Sequence, residues 1–184
     1  MDKIEKITSK KNKMDNIMRN IRIEKVVLSV AGTAEKLEKG VRLLKTLSGM
    51  QTKKLASKKR IPSFGVRPGL ETGAKVTLRN EKIAPILKRL LLAVNNEIKR
   101  SQFVDNHFSF GIHEYIEIPG LEYQRDIGIL GLNAAVDFVR AGKRVERKKI
   151  KRGKIPARQK VTREEIIDYM TKNYGIKLKE KKEK

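Results

Sequence analysis

The chain has 184 residues and a formal net charge of +23, which restrict both its size and its partners. Domains commonly hold roughly 100–200 residues, so the length predicts a single domain. The absence of cysteine excludes disulfides, thiol nucleophiles and cysteine-ligated zinc. The N-terminal residues lack the apolar core of a signal peptide, and no run approaches the roughly 18 apolar residues of a membrane span. We therefore expect a soluble intracellular protein that binds a polyanion, with nucleic acid as the first candidate.

The first part of the sequence predicts an arm, a strand and a helix. Residues 1–20 are polar and mixed in charge, which is typical of a flexible arm. The β-branched and aliphatic run Arg22–Val30 predicts a strand. Apolar residues at helical spacing predict a helix over Ala34–Ser48, with Thr33 as N-cap and Gly49 as the residue that ends it.

A basic, proline- and glycine-containing stretch follows the helix. Residues Gln51–Lys59 are short and basic, and Ile61–Gly69 contains two prolines and two glycines, which predict an extended loop with turns. A strand resumes over Gly73–Arg79. The next helix is predicted over Ala84–Lys99, with Ile98 on its buried face.

Alternation of apolar and polar residues is clearest in the run His107–Ile118. This period of two predicts a strand with one buried face and places Tyr115 on the exposed side. A further strand is predicted over Gly131–Arg140. The T-x-x-E sequence at 162–165 is a capping box and predicts a last helix through Asn173.

The order β-α-β-β-α-β-β-α predicts an α+β fold. We expect an antiparallel sheet with helices on one face, in a split βαβ (ferredoxin-like) arrangement with a long basic loop between the second and third strands. Strands that alternate this cleanly leave the opposite sheet face free for a partner. The domain is predicted to span residues 21–176, followed by a basic tail over 177–184. The predicted core of the sheet is Val26, Leu28, Val76, Leu78, Phe108, Phe110, Ile112, Val136 and Phe138.

Groups that could perform catalysis are scarce. The two histidines, His107 and His113, lie six residues apart on the predicted strand, or roughly 20 Å, which is too far to share a metal. The sequence has no P-loop lysine motif, no G-x-S-x-G and no pair of carboxylates in a plausible cleft. Most acids neighbour Lys or Arg, as solvated ion pairs do. We expect no enzyme, no cofactor and no metal.

One cluster of basic residues surrounds the first loop. Its eight Lys and Arg residues face a single acid, Glu71. A loop that served solubility alone could equally well be acidic, so the asymmetry of sign favours binding. The cluster consists of Lys53, Lys54, Lys58, Lys59, Arg60, Arg67, Lys75 and Arg79.

A second cluster, Arg140–Lys160, has eleven Lys and Arg residues against one acid, Glu146. A folded core cannot bury so many cations, so the segment must face water or a polyanion. Repulsion between like charges predicts partial disorder in isolation. Most of these residues are expected to contact phosphates, which position a protein without reading sequence. The last helix begins with acids, which disfavours insertion into a DNA groove and favours RNA recognised through its shape and backbone.

Five short blocks of the sequence match, in order, a pattern shared by one family. They are Ile61–Gly69, Gly73–Arg79, Phe108–Ile116, Pro119-Gly120 and Asp126–Leu132. The pattern resembles that of the large-subunit ribosomal protein five family, number eleven in the older eukaryotic naming, over about residues 16–175. The segment 152–158, which leads into 161–165, is similar to the archaeal branch of that family.

The resemblance implies a function and a set of partners. Members of the family bind 5S rRNA, help attach it to the large rRNA in the central protuberance, and contact the small-subunit head. Their long loop, about residues 56–72 here, reaches toward P-site tRNA. The implied partners are therefore 5S rRNA, large-subunit rRNA, P-site tRNA and neighbouring proteins, including large-subunit protein eighteen and small-subunit protein thirteen. The implied location is the ribosome in the cytoplasm.

The resemblance also implies residue roles. Thr77 matches a family threonine that faces 5S rRNA. The chain departs from the family at Ser29, where an asparagine and a glycine-rich turn are usual, and at Met50, where a glutamine is usual and Gln51 follows one place later. Charge and resemblance together predict rRNA contacts at Ser29, Gln51, Lys53, Lys54, Thr77, Arg79, Arg147, Lys148, Lys149, Lys151, Arg152 and Arg158. The predicted tRNA contacts are Lys58, Lys59, Arg60, Ser63, Phe64 and Arg67.

Three other functions are compatible with parts of the sequence. A free RNA-binding module or RNA chaperone would carry the same charge, and a high-salt wash of the large subunit would release it while an embedded component would stay. An RNA-processing enzyme is disfavoured because no metal-ligand set or acid–base pair is visible. Membrane-surface binding is disfavoured because the basic runs lack a facing apolar stripe.

Overall fold

The structure is a computed structural model, and it describes residues 16–179. The predicted arm lies outside the described residues except for 16–20, in which Ile17–Arg19 form one 3₁₀ turn. The predicted tail lies outside them from residue 180 onward. Its first residues, Lys177–Lys179, form a short strand.

Eight strands and four helices make up the described fold, as the α+β prediction requires. The strands are β1 (Arg22–Ala31), β2 (Lys53–Ala56), β3 (Glu71–Leu78), β4 (Glu97–Lys99), β5 (Phe103–Val104), β6 (His107–Ile112), β7 (Leu132–Val139) and β8 (Lys177–Lys179). The helices are α1 (Ala34–Ser48), α2 (Ile83–Ala93), α3 (Arg144–Arg147) and α4 (Arg163–Tyr174). Six strands form one antiparallel sheet in the order β2-β3-β1-β7-β6-β5, while β4 and β8 pair in parallel as a separate small sheet. The predicted fold class is confirmed.

The core lies between one face of the large sheet and the helices. All nine predicted core residues are buried. Phe108 lies at the centre of an aromatic cluster, with ring centroids 5.0 Å from Phe103 and 5.8 Å from both Phe110 and Phe138. Helix α1 approaches β1 closely at Gly40, where an added Cβ would lie 2.7 Å from the Val30 side chain. The sheet therefore has one face that helices cover and one that remains available.

Two helix boundaries follow the predicted capping. Glu165 Oε2 accepts a hydrogen bond from the Thr162 backbone N–H at 3.0 Å, which completes the capping box of α4. Gly49 ends α1 with φ of 61°, in the left-handed region that glycine tolerates best. Thr33 occupies the N-cap position of α1, but its side chain makes no capping hydrogen bond.

The predicted helix over Ala84–Lys99 is wrong at its C-terminal end, because α2 stops at Ala93. Asn95 and Asn96 both have positive φ, 54° and 58°, a conformation that asparagine tolerates better than most residues and that breaks a helix. Ile98 is fully buried as predicted, but it lies in β4.

The predicted strand over His107–Ile118 is also too long, since β6 ends at Ile112. A 3₁₀ turn over Tyr115–Glu117 follows and changes the period from two to about three. Tyr115, predicted on the exposed side, is therefore 1% exposed, and its hydroxyl accepts a hydrogen bond from the Gln124 backbone N–H at 2.8 Å. Ile116, predicted to be buried, is 39% exposed.

Replacing Phe110 with Ala should lower the free energy of unfolding by roughly 3–5 kcal/mol, because the ring is 3% exposed and stacks on Phe108. Denaturant unfolding of the two proteins measures the difference. The matched change Phe64→Ala removes a ring that is 76% exposed and should leave stability nearly unchanged. A loss below about 1 kcal/mol for Phe110→Ala would contradict the assignment of the buried sheet face.

Candidate nucleic-acid interface

The second face of the large sheet is accessible to solvent, and we call it the open sheet face. Its side chains alternate with those of the core along four central strands, and they are exposed or half-exposed. Residues on this face are Lys25, Val27, Ser29, Lys53, Lys75, Thr77, His107, Ser109, Gly111, Asn133, Ala135 and Asp137. Most are small or polar, so the face is shallow enough for the backbone of a partner to approach closely.

Strand register aligns these residues in rows across the sheet. Directly paired positions lie about 4.5–5.5 Å apart, so each row is nearly continuous. The first row runs through Lys53, Lys75, Ser29, Asn133 and Gly111. The second runs through Thr77, Val27, Ala135 and Ser109. Positive charge is therefore concentrated at the β2–β3 side, with hydroxyl and amide groups beside it.

The structure separates the residues at which the chain departs from the family pattern. Ser29 lies in the middle of the first row, between Lys75 and Asn133. Met50 is half-buried and packs against the core, so it presents no polar group to this row. Gln51 is exposed but precedes β2, outside the paired register. Sequence reasoning missed Asn133, whose amide stands directly across from Ser29, because only the register of β1 and β7 reveals this pairing.

The basic loop, residues 57–70, continues the β2–β3 hairpin instead of leaving it. Ser57 pairs through its backbone with Leu70 and Gly69, at 2.8 and 2.9 Å. Nearer the tip, Ile61 and Val66 form an antiparallel bridge with N–O distances of 2.9 and 3.1 Å. The predicted irregular loop therefore has a hydrogen-bonded frame.

The tip of this frame presents an aromatic ring among cations. A 3₁₀ turn over Pro62–Phe64 and Gly65 at φ of 63° form the tip, and the Phe64 ring is 76% exposed. An exposed ring beside positive charge can stack on a nucleobase while the cations contact phosphates. The other predicted tRNA-contacting residues, all exposed, are Lys58, Lys59, Arg60, Ser63 and Arg67.

Two of the predicted rRNA contacts in β2 have different surroundings. Lys53 is exposed at the end of the first row. Lys54 pairs with Glu71 at 2.9 Å, and the hydrogen bond and charge of that carboxylate raise the pKa of Lys54. Part of the charge of Lys54 is therefore compensated within the chain, whereas Lys53 remains available for a partner.

The second basic cluster, residues 140–160, is a closed loop whose two ends are joined. Arg140 Nη2 donates to Glu165 Oε1 at 2.5 Å, and Arg140 Nη1 donates to the Arg158 carbonyl at 3.3 Å. Gln159 Nε2 donates to the Ala141 carbonyl at 3.0 Å. Arg140 is only 7% exposed, which corrects the expectation that no cation of this segment enters the fold. The Glu165 carboxylate compensates for the burial of this single charge.

The outer part of the same segment folds back on α3, contrary to the expectation of partial disorder. Arg152 Nε donates to the Glu146 carbonyl at 2.6 Å, and the Gly153 N–H donates to the Val145 carbonyl at 3.1 Å. The turn exposes several cations that make no ion pair within residues 16–179. They are Lys148, Lys149, Lys151, Arg152, Lys154 and Arg158.

Glu24 links the second basic cluster to the sheet. It lies at a bulge in the pairing of β1 with β7, and its side chain is 11% exposed. Its carboxylate pairs with Arg147, with Arg79 at 3.5 Å and with Lys143 at 3.8 Å. Burial alone would raise the pKa of Glu24, but the hydrogen bond from Arg147 and the charges of nearby cations outweigh it and lower the pKa. Two predicted rRNA contacts, Arg79 and Arg147, are thus held by one carboxylate.

Replacing Glu24 with Gln should lower the free energy of unfolding by about 1–3 kcal/mol at pH 7, because three cations lose their shared partner. The lowered pKa fixes the pH dependence. The carboxylate stabilises the fold above its unfolded pKa of about 4.3, and this contribution is lost as the pH falls through the folded value. Denaturant unfolding from pH 7 to pH 3 should show the two proteins converging in acid.

Glu122→Gln is the matched control, since Glu122 is exposed and forms no ion pair within the described residues. It should match the parent chain across the pH range. A Glu24→Gln difference that stays constant down to pH 3 would rule out this ion-pair network as its source.

The described residues offer little to catalysis or to a membrane. Within 16–179, no group of three or more His, Asp and Glu side chains could hold a metal ion. His113 lies beyond the end of β6 and not on the same strand as His107. No helix of the described chain is long and apolar enough to cross a membrane.

An antiparallel α+β domain with an open polar sheet face and two basic loops is typical of proteins that bind nucleic acid. Comparison with known proteins narrows this class. The family model for the C-terminus of the ribosomal uL5 proteins matches residues 71–169. Large ribosomal subunit protein uL5 of Nanoarchaeum equitans is 47% identical over 90% of this chain and 99% of its own length. The uL5 proteins of Sulfolobus acidocaldarius and Pyrobaculum aerophilum are 39% and 40% identical, over 91% and 88% of this chain and 96% and 92% of theirs.

The chain belongs to the uL5 family of large ribosomal subunit proteins. The resemblance seen in the sequence, including its archaeal character, is thereby confirmed. Membership makes the chain a structural component of the large ribosomal subunit and not an enzyme. Its place is the ribosome, in the cytoplasm.

Proposed function

We propose that the chain binds 5S rRNA through its open sheet face and helps attach that RNA to the large rRNA in the central protuberance. In the same proposal, the basic loop contacts P-site tRNA. The domain also meets the small-subunit head, with large-subunit protein eighteen and small-subunit protein thirteen among its neighbours. The observation that carries the proposal is the pair of residue rows on the open sheet face.

The chemistry of the open sheet face suits double-stranded RNA. An A-form helix presents phosphates and 2′-hydroxyl groups across a wide, shallow minor groove, which proteins recognise by shape and by backbone contacts. Ser29 and Thr77 offer hydroxyl groups, and Asn133 offers an amide, at half-exposed or exposed positions of a shallow surface. Lys53 and Lys75 at the end of the first row can pair with phosphates. The face contains no stacked aromatic pair of the kind that binds single strands.

The two basic clusters are assigned to different RNAs on their geometry. The basic loop extends the hairpin and ends in an exposed ring, so it suits a partner at a distance from the sheet, and we assign it to tRNA. The segment 140–160 is held against the end of β1 through Glu24 and against α4 through Glu165, so it lies beside the sheet. We assign its exposed cations to rRNA phosphates, as the sequence predicts for Lys148, Lys149 and Lys151.

Replacing Thr77 with Glu should weaken binding of 5S rRNA by about tenfold or more, equivalent to at least about 1.4 kcal/mol. The change adds negative charge and volume at the second row, where the RNA must come close. Thr46→Glu alters the net charge equally on an exposed position of α1, away from the open sheet face, and should bind like the parent chain. Filter binding at one fixed salt concentration compares the three proteins. Equal affinities with unchanged circular dichroism would remove the open sheet face from the interface.

Removing the tip of the basic loop should separate tRNA contact from 5S rRNA binding. The backbone pairs of Ser57 with Gly69 and Leu70 allow 58–67 to be replaced by an Asn-Gly turn without disturbing β2 or β3. We expect nearly normal 5S rRNA affinity but weaker retention of P-site tRNA by ribosomes carrying the shortened chain. Phe64→Ala, which keeps the charge, tests the ring alone. Loss of 5S rRNA binding on shortening would assign the loop to the 5S interface instead.

A further inference from the structure

A cationic cleft lies at the end of β1, apart from the two residue rows of the open sheet face. It has a volume of about 480 Å³, and three separate segments of the chain contribute its charged lining. Five of these charged side chains are cations and one is a carboxylate. They are Arg22, Arg79, Lys143, Arg144, Arg147 and Glu24.

Three irregularities of the backbone build this cleft. The bulge between Ile23 and Lys25 inserts Glu24 into β1 without a ladder partner. Asn80, with φ of 58°, turns the chain immediately after Arg79. Gly142, with φ of 95°, turns the chain into α3 and its cations. Each turn directs positive charge toward one place, which a solubilising surface would not require.

The charge within the cleft is not balanced by the chain itself. Glu24 pairs with Arg79, Lys143 and Arg147, which leaves an excess of four positive charges around the cleft. Arg22 and Arg144 are exposed and form no ion pair within residues 16–179. A concave site with such an excess concentrates anions, and guanidinium groups pair with phosphate through two parallel hydrogen bonds.

We propose that this cleft binds the phosphodiester backbone of rRNA, with Arg22, Arg79 and Arg144 contacting phosphates. The proposal rests on the proposed function, since it requires the chain to bind rRNA, and it adds a second phosphate site beside the open sheet face. A polymer fits better than a small free anion. Arg22 and Arg144 are exposed at the cleft, and the exposed Lys148 and Lys149 follow α3 along the surface. These residues form a track that can engage several phosphates in succession.

Glu24 is a positioning residue in this site. By pairing with Arg79 and Arg147 before RNA arrives, its carboxylate holds two long side chains at the cleft and lowers the entropy lost when they contact phosphate. One carboxylate among five cations organises the cleft without cancelling its attraction for an anion.

The double variant Arg22→Gln/Arg144→Gln tests the cleft directly. Affinity for 5S rRNA is measured by filter binding over a range of salt concentrations. If both arginines contact phosphate in a duplex region, the magnitude of the log–log salt slope should fall by about 1.8, or about 0.9 for each lost contact. Lys36→Gln/Lys88→Gln removes equal charge from exposed positions of α1 and α2 and should leave the slope unchanged. Since neither arginine forms an ion pair, circular dichroism should show an intact fold.

The outcomes separate this inference from the proposed function. An unchanged slope in the arginine variant, with Thr77→Glu still impaired, overturns the cleft and leaves the open sheet face standing. Absence of 5S rRNA binding by the parent chain overturns the proposed function itself. A slope reduction of similar size on an RNA duplex of unrelated sequence supports the cleft, because phosphate contacts carry no sequence information.

Discussion

The pairing of β1 between β3 and β7 is the constraint on which the rest of the structure depends. Because side chains alternate with a period of two, this register buries Val26 and Leu28 and exposes Ser29 to the open sheet face. A slip of one residue would exchange the two sets, removing apolar residues from the core and burying Lys25. The same hydrogen bonds that hold the core together therefore also create the rows that could meet RNA.

Positive charge is organised around this sheet by a few well-placed acids. Glu165 compensates Arg140 inside the fold, Glu24 gathers cations at the end of β1, and Glu71 pairs with Lys54 at the edge. Each pair fixes a basic segment to the scaffold while many neighbouring cations keep their charge. A net charge of +23 then becomes a shaped surface and not a diffuse cloud. This arrangement suits a component that is held within a ribonucleoprotein.

Most of the fold could be predicted because long, regular elements carry strong periodicity, whereas local backbone turns do not. Asn95, Asn96 and the turn at Tyr115 depend on φ values and tertiary contacts that no apolar pattern reveals. Strands of two or three residues, such as β5, are too short to show a period. For the candidate site, charge identified the basic clusters, and the resemblance identified Thr77. The partners of Asn133 and Glu24 depend on register and a bulge, so only the structure could bring them together.

The central claim is that the open sheet face, and not the helical face, meets 5S rRNA. An electron cryomicroscopy structure of the large subunit carrying this chain tests it most directly. The account predicts 5S rRNA against the rows through Ser29 and Thr77, with α1 and α2 on the opposite side of the sheet. A structure with 5S rRNA on α1 and α2 and solvent over Ser29 and Thr77 would contradict it.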